Sequence, residues 1–569
     1  MSITVIELNK GDCQNCYKCI RECPIKAIEF KNSRASVLPD ECILCGNCVQ
    51  TCPQNAKYIK SDSYKIEQMI EEGKTVYATI APSFAAYFGV SFSKLSKALK
   101  KLGFAGVEET AIGAYETSKA YSGLIRDHQM SNIIVTACSS VVMLVEKYYK
   151  DLIKCLAPVA SPMMAHAKLM KEAYGDNIHI AFIGPCLAKK AEAQDELAGG
   201  YVDYALTFSG VEEWMLRKGI SLEEDDDQVL GVANPISRLY PKPIGILDTI
   251  DQELFKQENT YRRVSVDGVD DCIQLFDAMV KDPSMTGLFI EANICKGACL
   301  NGPVMRMHHK DSFMSQFELS TKPLDHDTNV APTAKLSVPQ PRIFANRSPH
   351  QVQPTEEDIK HILAQIGKYS KEDELNCGSC GYSSCREKAA AVFHGKADIH
   401  MCLPYFRQQA ESMSSTVIEY SPNAILVFDD DQRLLDLNPT GEKMLKIKKS
   451  ESIGEFPPLF YGENDFDEAK SDGEVKTKKV QIDDIYAEQS ILYVKKHHMF
   501  LAFIKDITEE EKRKKELSDL RDHTVLTAQK VIEKQMTVAQ EIASLLGETT
   551  AETKVALTKL KKSMEQAEE

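Results

Sequence analysis

The sequence has no apolar run approaching the roughly 20 residues that a bilayer-spanning helix needs. Its first residues, MSITVIELNKGDC, lack a basic stretch followed by an apolar core and a small-residue cleavage site. These two absences predict a soluble, cytoplasmic protein with no membrane partner. Basic charge is in short supply. Against 83 Asp and Glu stand 68 Lys and Arg, a net charge of −15, which excludes a general nucleic-acid binder. Cysteine disappears after Cys402, so any chemistry in the last third of the chain must do without thiols. The bulk composition is ordinary, with 43% hydrophobic and 27% charged residues, which rules out wholesale disorder. A chain of 569 residues suggests about three to five domains.

What the chain does have is cysteine, 18 in all, and clustered. Without an export signal, clustered cysteine points to metal binding rather than disulfides. Sixteen fall into ligand-like groups, and Cys155 and Cys272 are left as buried small hydrophobes.

The pattern divides the chain into six segments. Residues 1–60 hold two cysteine runs. Over 61–330, apolar strands (TVYATIAP, NIIVTAC, IHIAFIGPC, TGLFIEANIC) alternate with amphipathic stretches such as FSKLSKALKKLGF and CIQLFDAMVK. That alternation predicts an α/β domain with a largely parallel sheet. Cysteines sit where three of the strands end, which is where α/β sheets place ligands. Residues 331–354 form a Pro-rich connector expected to wrap the surface. Residues 355–408 open with a helix at Thr355, followed by Glu356, Glu357 and Asp358, and carry a further cysteine group. Residues 409–508 read as a small α+β module. Residues 509–569 turn helical, with Ala528, Val531, Val538, Ile542 and Leu545 in a heptad-like stripe shared by Gln535, an interruption at Gly547, and Leu557, Leu560 and Met564 beyond it. The stripe predicts a dimerising helical pair. The fold class is multidomain α/β and α+β.

The first runs are Cys13-x2-Cys16-x2-Cys19-x3-Cys23-Pro24 and Cys42-x2-Cys45-x2-Cys48-x3-Cys52-Pro53. A C-x2-C-x2-C loop supplies three thiolates to a cubane, and the Cys before Pro points to the neighbouring cluster. Cys13, Cys16, Cys19 and Cys52 are therefore expected to hold one 4Fe–4S cluster, and Cys23, Cys42, Cys45 and Cys48 a second. Zinc knuckles do not use this spacing with a trailing Cys-Pro. The two clusters would transfer electrons, since every iron is fully ligated.

In the α/β segment, Cys138, Cys186, Cys295 and Cys299 each follow an apolar strand, so one site could collect all four. Pro185, Gly297 and Gly302 suit backbone passing close to a bulky cofactor. Lys189 and Lys190 follow Cys186 closely. They fit either donors to an anionic ligand or a solvated helix start.

These four segments resemble the active-site domain of the iron–iron (FeFe) hydrogenases. The family motif M-P-C-x-x-K-x-x-E is matched by Gly184-Pro185-Cys186-Leu187-Ala188-Lys189-Lys190-Ala191-Glu192. The motif E-x-M-A-C-x-x-G-C is matched by Glu291-Ala292-Asn293-Ile294-Cys295-Lys296-Gly297-Ala298-Cys299. The resemblance runs from residue 1 to about 305 and implies an H-cluster: a 4Fe–4S cubane on Cys138, Cys186, Cys295 and Cys299, bridged by Cys299 to a di-iron unit with CO, cyanide and azadithiolate. It implies that Lys189 hydrogen-bonds one cyanide and that Ala81-Pro82-Ser83 contacts the other. The family's T-S-C-C-P motif departs here to Thr136-Ala137-Cys138-Ser139-Ser140. Aligning Cys138 with the cubane ligand leaves Ala137 where the family has its proton-delivering Cys; the other register would make Ser139 a ligand. Asn293 and Gly184 replace two methionines, and the helix Thr117–Asp127 carries no Glu until its end. Alanine cannot relay a proton, and acid–base assistance is typically worth about 10²–10⁴-fold. Slow turnover is therefore expected.

Cys377-x2-Cys380-Gly381-x3-Cys385 with Cys402 resembles a small helical 4Fe–4S module, with zinc the competing reading. Residues 410–508 resemble a PAS domain in EYSPNAILVFDDDQRLLDLNPTGEKML and in FIKDITEEEKRKKE. With no cysteine there, a flavin–cysteine adduct is excluded, and His497 and His498 are read as solvent-facing rather than haem-binding. The whole resembles the sensory, PAS-containing FeFe hydrogenases. That implies a hydrogen or redox sensor that slowly interconverts H2 with protons and electrons and relays electrons through three 4Fe–4S clusters besides the H-cluster cubane. It also implies homodimerisation through PAS and tail, a downstream kinase or phosphatase, and dedicated di-iron maturation proteins. A metabolic hydrogenase paired with ferredoxin is the alternative, and a non-enzymatic assembly factor a third reading.

Overall fold

The structure, a computed structural model, describes residues 4–9, 11–222, 234–257, 260–308, 311–321, 330–339, 341–349, 352–456, 463–472 and 476–565. The chain divides into two compact units, Met1–Phe406 and Arg407–Glu569.

The first unit begins with a repeated pattern. The strand Ile6–Leu8 pairs antiparallel with Lys57–Ile59, and between them lies the hairpin of Ile28–Lys31 with Arg34–Val37. Two one-turn helices, Lys18–Arg21 and Asn47–Gln50, are each entered through a left-handed residue, Tyr17 at φ 56° and Gly46 at φ 77°. Those bends turn the backbone between the second and third cysteines of each run. At Gly46 the close approach matters as much as the φ, because a Cβ there would stand 2.4 Å from the Pro303 ring.

The α/β segment contains parallel pairing throughout its named sheets, but the strands sort into two sheets rather than one. One runs in the order Gly106–Glu109, Val76–Ile80, His179–Gly184, Tyr204–Thr207. The other runs Arg262–Asp267, Leu288–Asn293, Asn132–Ile134. Both faces of these strands are covered, so the consecutive residues Ala78, Thr79 and Ile80, like Ile180–Ile183, are buried without alternation. The carboxyl ends of Val76–Ile80, Asn132–Ile134, His179–Gly184 and Leu288–Asn293 deliver the segments beginning at Ala81, Val135, Pro185 and Ile294. Cys155 and Cys272 lie in the second core as buried hydrophobes, as expected.

Two expectations are corrected. The helix read as Thr117–Asp127 begins at Ala111 and so includes Glu116, a buried carboxylate that accepts from Lys119 Nζ at 2.8 Å and Ser337 Oγ at 2.6 Å. The Pro-rich connector does more than wrap the surface. Pro341 bridges to Val159, and Arg342 is buried. Part of that connector, with residues 340 and 350–351, lies outside the described residues.

After the connector, Thr355 caps the helix Glu356–Gln365 in a reciprocal box with Asp358. The helix Cys385–Phe393 packs against it, and Leu403–Glu419 leads onward.

The second unit is a five-stranded antiparallel sheet in the order Leu434–Leu437, Ala424–Phe428, Met499–Asp506, Ile485–Val494, Lys476–Ile482. Along Ile485–Val494 the alternation is strict, with Ala487, Gln489, Ile491 and Tyr493 turned inward. The expected hairpin and the helix Pro439–Leu445 are present; the strand Lys476–Ile482 and the helix Glu463–Asp472 were not anticipated, because their lysines and aspartates mask any period. The tail is one helix, Thr508–Glu565, and Gly547 does not break it. Its stripe residues Val531, Val538, Ile542 and Leu545 are exposed.

Candidate active site and electron-transfer centres

Four thiols from three strand ends and one turn meet at one cavity. Cys138, Cys186, Cys295 and Cys299 line it together with Ala81, Pro82, Ser83, Ala137, Lys189 and Asn293. Burial pushes the Cys186 thiol up to about 11, with Cys138 adding to the effect and Lys189 opposing it. Burial likewise pushes up Cys295 and Cys299, and each is raised further by Cys186 and Cys138. Three thiols that resist ionisation beside a fourth, walled in by apolar side chains, need cationic metal to deprotonate them. The backbone leaves room, since a Cβ at Gly302 would stand 3.9 Å from Cys295 Sγ and 3.3 Å from Cys299 O. Ser83 is fully buried in the wall of this cavity, and its hydroxyl has no hydrogen-bond partner. An orphaned buried hydroxyl costs about 1–3 kcal/mol and fits a bound acceptor. The donor set therefore fits a large anionic metal group.

Lys189 is anchored rather than solvated. Its Nζ donates to Glu192 Oε2 at 2.5 Å and to Ala137 O at 3.2 Å. Glu192 also accepts from Ser139 Oγ at 2.5 Å and from Arg342 at 2.7 Å. Burial alone would raise the Glu192 carboxyl, but Lys189 and Arg342 hold it at about 2. Lys190 instead pairs with Asp62 at 2.7 Å, away from the cavity. Arg342 went unrecognised because a lone Arg among prolines reads as connector. The signal was Glu192 itself, a motif carboxylate that must be neutralised if buried.

Ala137 presents only a methyl to the cavity. On the neighbouring strand Leu288–Asn293, Glu291 is fully buried and pushed up to about 7 by that burial; it accepts from Leu247 N at 2.9 Å and Asn293 Nδ2 at 3.3 Å. Two further buried carboxylates are tied elsewhere: Glu109 takes both Nε and Nη2 of Arg238 at 3.0 and 2.7 Å, and Glu108 takes His166 at 3.0 Å.

The N-terminal cysteines influence one another across the two runs. Burial raises Cys19 to about 11, with Cys13, Cys16 and Cys52 adding to it. Burial raises Cys48, with Cys42, Cys45 and Cys23 adding, and Cys45 reaches about 12. The buried cation Lys57, whose Nζ donates to Ala35 O, offsets thiols of both groups. A second cation, Arg306, is felt by Cys45 on one side and by Cys295 on the other. Leu44 reaches the cavity, and Gln50 Nε2 donates to Pro303 O at 3.0 Å. The second N-terminal group thus abuts the four-thiol cavity. Cys377, Cys380, Cys385 and Cys402 line a separate small pocket with Tyr382 and Lys388. His497 and His498 are exposed, as expected. Among the described residues no three His, Cys, Asp or Glu side chains close tightly around a single metal ion.

Cysteine groups arrayed along two adjoining modules, with a third beside them, define an iron–sulfur redox protein. Comparison with known proteins makes this more particular. Residues 74–303 match the family described as iron only hydrogenase large subunit, C-terminal domain. Residues 5–53 match a 4Fe-4S dicluster domain, residues 373–404 a putative Fe-S cluster family, and residues 412–476 a PAS domain. Among solved structures, a single-site variant of the FeFe-hydrogenase HydA1 from Chlamydomonas reinhardtii is 17% identical, with 51% of this chain and 100% of that one covered and a TM-score of 0.40. An FeFe-hydrogenase solved to reveal stepwise H-cluster assembly is also 17% identical, covering 48% of this chain and 91% of its own, with a TM-score of 0.38. The PAS domain of an HTR-like protein from Haloarcula marismortui is 21% identical over 18% of this chain and 97% of its own, with a TM-score of 0.17. The chain therefore carries an iron-only hydrogenase domain together with a 4Fe-4S dicluster domain and a PAS domain. No helix among the described residues is long and apolar enough to cross a membrane.

Proposed function

We propose that this chain is a hydrogen- and redox-sensing FeFe hydrogenase of low turnover. One observation carries the reading: a cavity with four converging thiols, an anchored lysine and an orphaned serine hydroxyl, but a methyl at Ala137 where a proton carrier belongs. Cys138, Cys186, Cys295 and Cys299 would hold the H-cluster, with Cys299 as the bridging thiolate. When bound, that group supplies the cleavage and formation of H2. The protein supplies the surroundings. Lys189, oriented by Glu192, directs an ammonium at an anionic ligand, and Ser83 directs a hydroxyl at another. The apolar wall excludes water. With Ala137 inert, a proton must leave by a slower route, and Glu291 is a buried carboxyl that can hold one near neutrality.

Cys13, Cys16, Cys19 and Cys52, then Cys23, Cys42, Cys45 and Cys48, and then Cys377, Cys380, Cys385 and Cys402 would hold three 4Fe–4S clusters. PAS and tail would pair two copies and address a kinase or phosphatase, and separate maturation proteins would insert the di-iron unit. The test is infrared spectroscopy of matured protein together with a turnover assay. Bands from iron-bound CO and cyanide with slow turnover are expected. Rates matching prototypical hydrogenases would favour a metabolic, ferredoxin-linked role and sink the sensory one, and absent bands would reject the hydrogenase reading.

A further inference from the structure

The C-terminal cysteine module docks on the N-terminal two-cluster domain, an attachment the order of the chain does not foreshadow. Arg21 reaches Gly378 O at 3.4 Å and Ser379 O at 3.3 Å, and Lys26 Nζ donates to Gly381 O at 3.0 Å. Phe30 N donates to Lys396 O at 2.6 Å, and Lys396 pairs with Glu41 at 2.5 Å. The tightest approach is at Gly381, φ +92°, where a Cβ would stand 3.0 Å from Ile20 and 3.2 Å from Arg21 N. Ile20 follows Cys19 directly and lies three residues before Cys23. Next to Gly381, Tyr382 is 2% exposed and lines the pocket of the third cysteine group, and its hydroxyl has no partner. Its charged neighbours include Cys380 on one side and Cys23 on the other. Lys388 is buried in the same pocket, donates to Ile399 O at 2.8 Å, and has Cys402, Cys380, Asp398 and Cys385 as its charged neighbours.

A buried ammonium and a free hydroxyl beside four thiolates favour the form of a cluster that carries one more electron. We infer that the C-terminal module is a branch of the relay: it receives an electron from the Cys23 group across the Gly381–Tyr382 turn, and Lys388 and Tyr382, as positioning residues, favour the reduced form of its cluster. The inference rests on the reading that Cys377, Cys380, Cys385 and Cys402 hold a 4Fe–4S cluster. The electrons balance. Each H2 yields two protons and two electrons, of which one reduces this cluster and the other remains on an N-terminal cluster. Cys402 immediately precedes the helix Leu403–Glu419 that leads into the second unit, so the stored charge is held at the start of that segment.

The experiment is a redox titration of the full-length, cluster-loaded protein followed by electron paramagnetic resonance, with the module's signal assigned by its loss in Cys380→Ala. In wild type this cluster, when all are reduced, shows spin coupling to an N-terminal cluster. Lys388→Met should lower the reduced-to-oxidised ratio at the wild-type midpoint by tenfold or more, about 59 mV for one electron. Lys388→Arg should restore most of it. Tyr382→Phe should move the ratio the same way by about threefold, as expected for one lost hydrogen bond, and should leave the N-terminal clusters unmoved. A ratio unchanged in Lys388→Met, or no spin coupling, would overturn the inference. If Lys388→Met loses the cluster, Tyr382→Phe decides alone. A module that carries zinc, or no metal, in wild type defeats the cluster reading itself and is recognised by the missing signal rather than an unmoved one.

Discussion

Replacing Arg342 with methionine removes one of two cations from a carboxylate that has no access to water. The side chains of Arg342 and Glu192 are 4% and 1% exposed and meet at 2.7 Å. Removing one partner of a buried pair typically costs about 3–5 kcal/mol. Here Lys189 and Ser139 still hold Glu192, which places the cost near the lower end, about 3 kcal/mol. A second route gives a similar size. Glu192 is lowered from 4.5 to about 2, and at ~1.4 kcal/mol per pKa unit its partners, net of the burial they oppose, contribute about 3.5 kcal/mol. The carboxyl is depressed in the folded state, so this contribution is complete above about pH 4.5 and is lost as pH falls toward about 2. At pH 7 it is fully present. The assay is urea unfolding at pH 7 followed by fluorescence of Trp214, the only tryptophan in the chain and a buried residue of the first unit. Arg342→Met should lower stability by about 3 kcal/mol, and Arg342→Met with Glu192→Gln should cost less than the sum of the singles by at least about 1 kcal/mol. A single-variant loss under about 0.5 kcal/mol, the size of an ordinary surface substitution, would refute the reasoning. So would strict additivity.

Ala137→Cys restores a thiol of reference pKa near 8.5 beside the site; turnover should rise about tenfold or less with the cubane retained, measured as hydrogen evolution at matched cluster occupancy. Loss of the cubane in that variant would show the Ala137–Cys138 register to be misplaced. Cys299→Ser should abolish the CO and cyanide infrared bands while leaving the N-terminal clusters intact, because an alkoxide is a poor bridge at neutral pH; retained bands would reject Cys299 as the bridge. Glu291→Gln addresses pH dependence. The folded carboxyl is raised from 4.5 to about 7 by burial, so its favourable contribution is complete below about pH 4.5 and is lost as pH rises through about 7. The variant should flatten the fall in stability over that window and be the more stable protein at pH 8, by up to about 3 kcal/mol; parallel pH profiles would show that Glu291 is not the group titrating.

Spacing determined the cysteine grouping because ligand loops are local. In each C-x2-C-x2-C run a left-handed bend, at Tyr17 or Gly46, turns the backbone between the second and third cysteines, a local feature that goes with the motif. Strand ends were equally legible, since buried parallel strands read as apolar runs bounded by turns, and the helix cap at Thr355 was written in its three following acids. The tertiary structure decided the contacts between distant segments. Arg342 lies 150 residues from Glu192, and nothing local to PQPRIF says that its charge is buried. Glu116 was set apart by a misplaced helix start, because the first turn from Ala111 carries no acidic residue to mark it. That the strands sort into two sheets, that Arg306 stands between Cys45 and Cys295, and that the C-terminal cysteine module rests on Ile20 and Arg21 follow from packing and electrostatics summed over the folded chain. A motif fixes which atoms can bind; the distances between bound groups, and the charges in the low-dielectric space among them, exist only once the chain has closed around them.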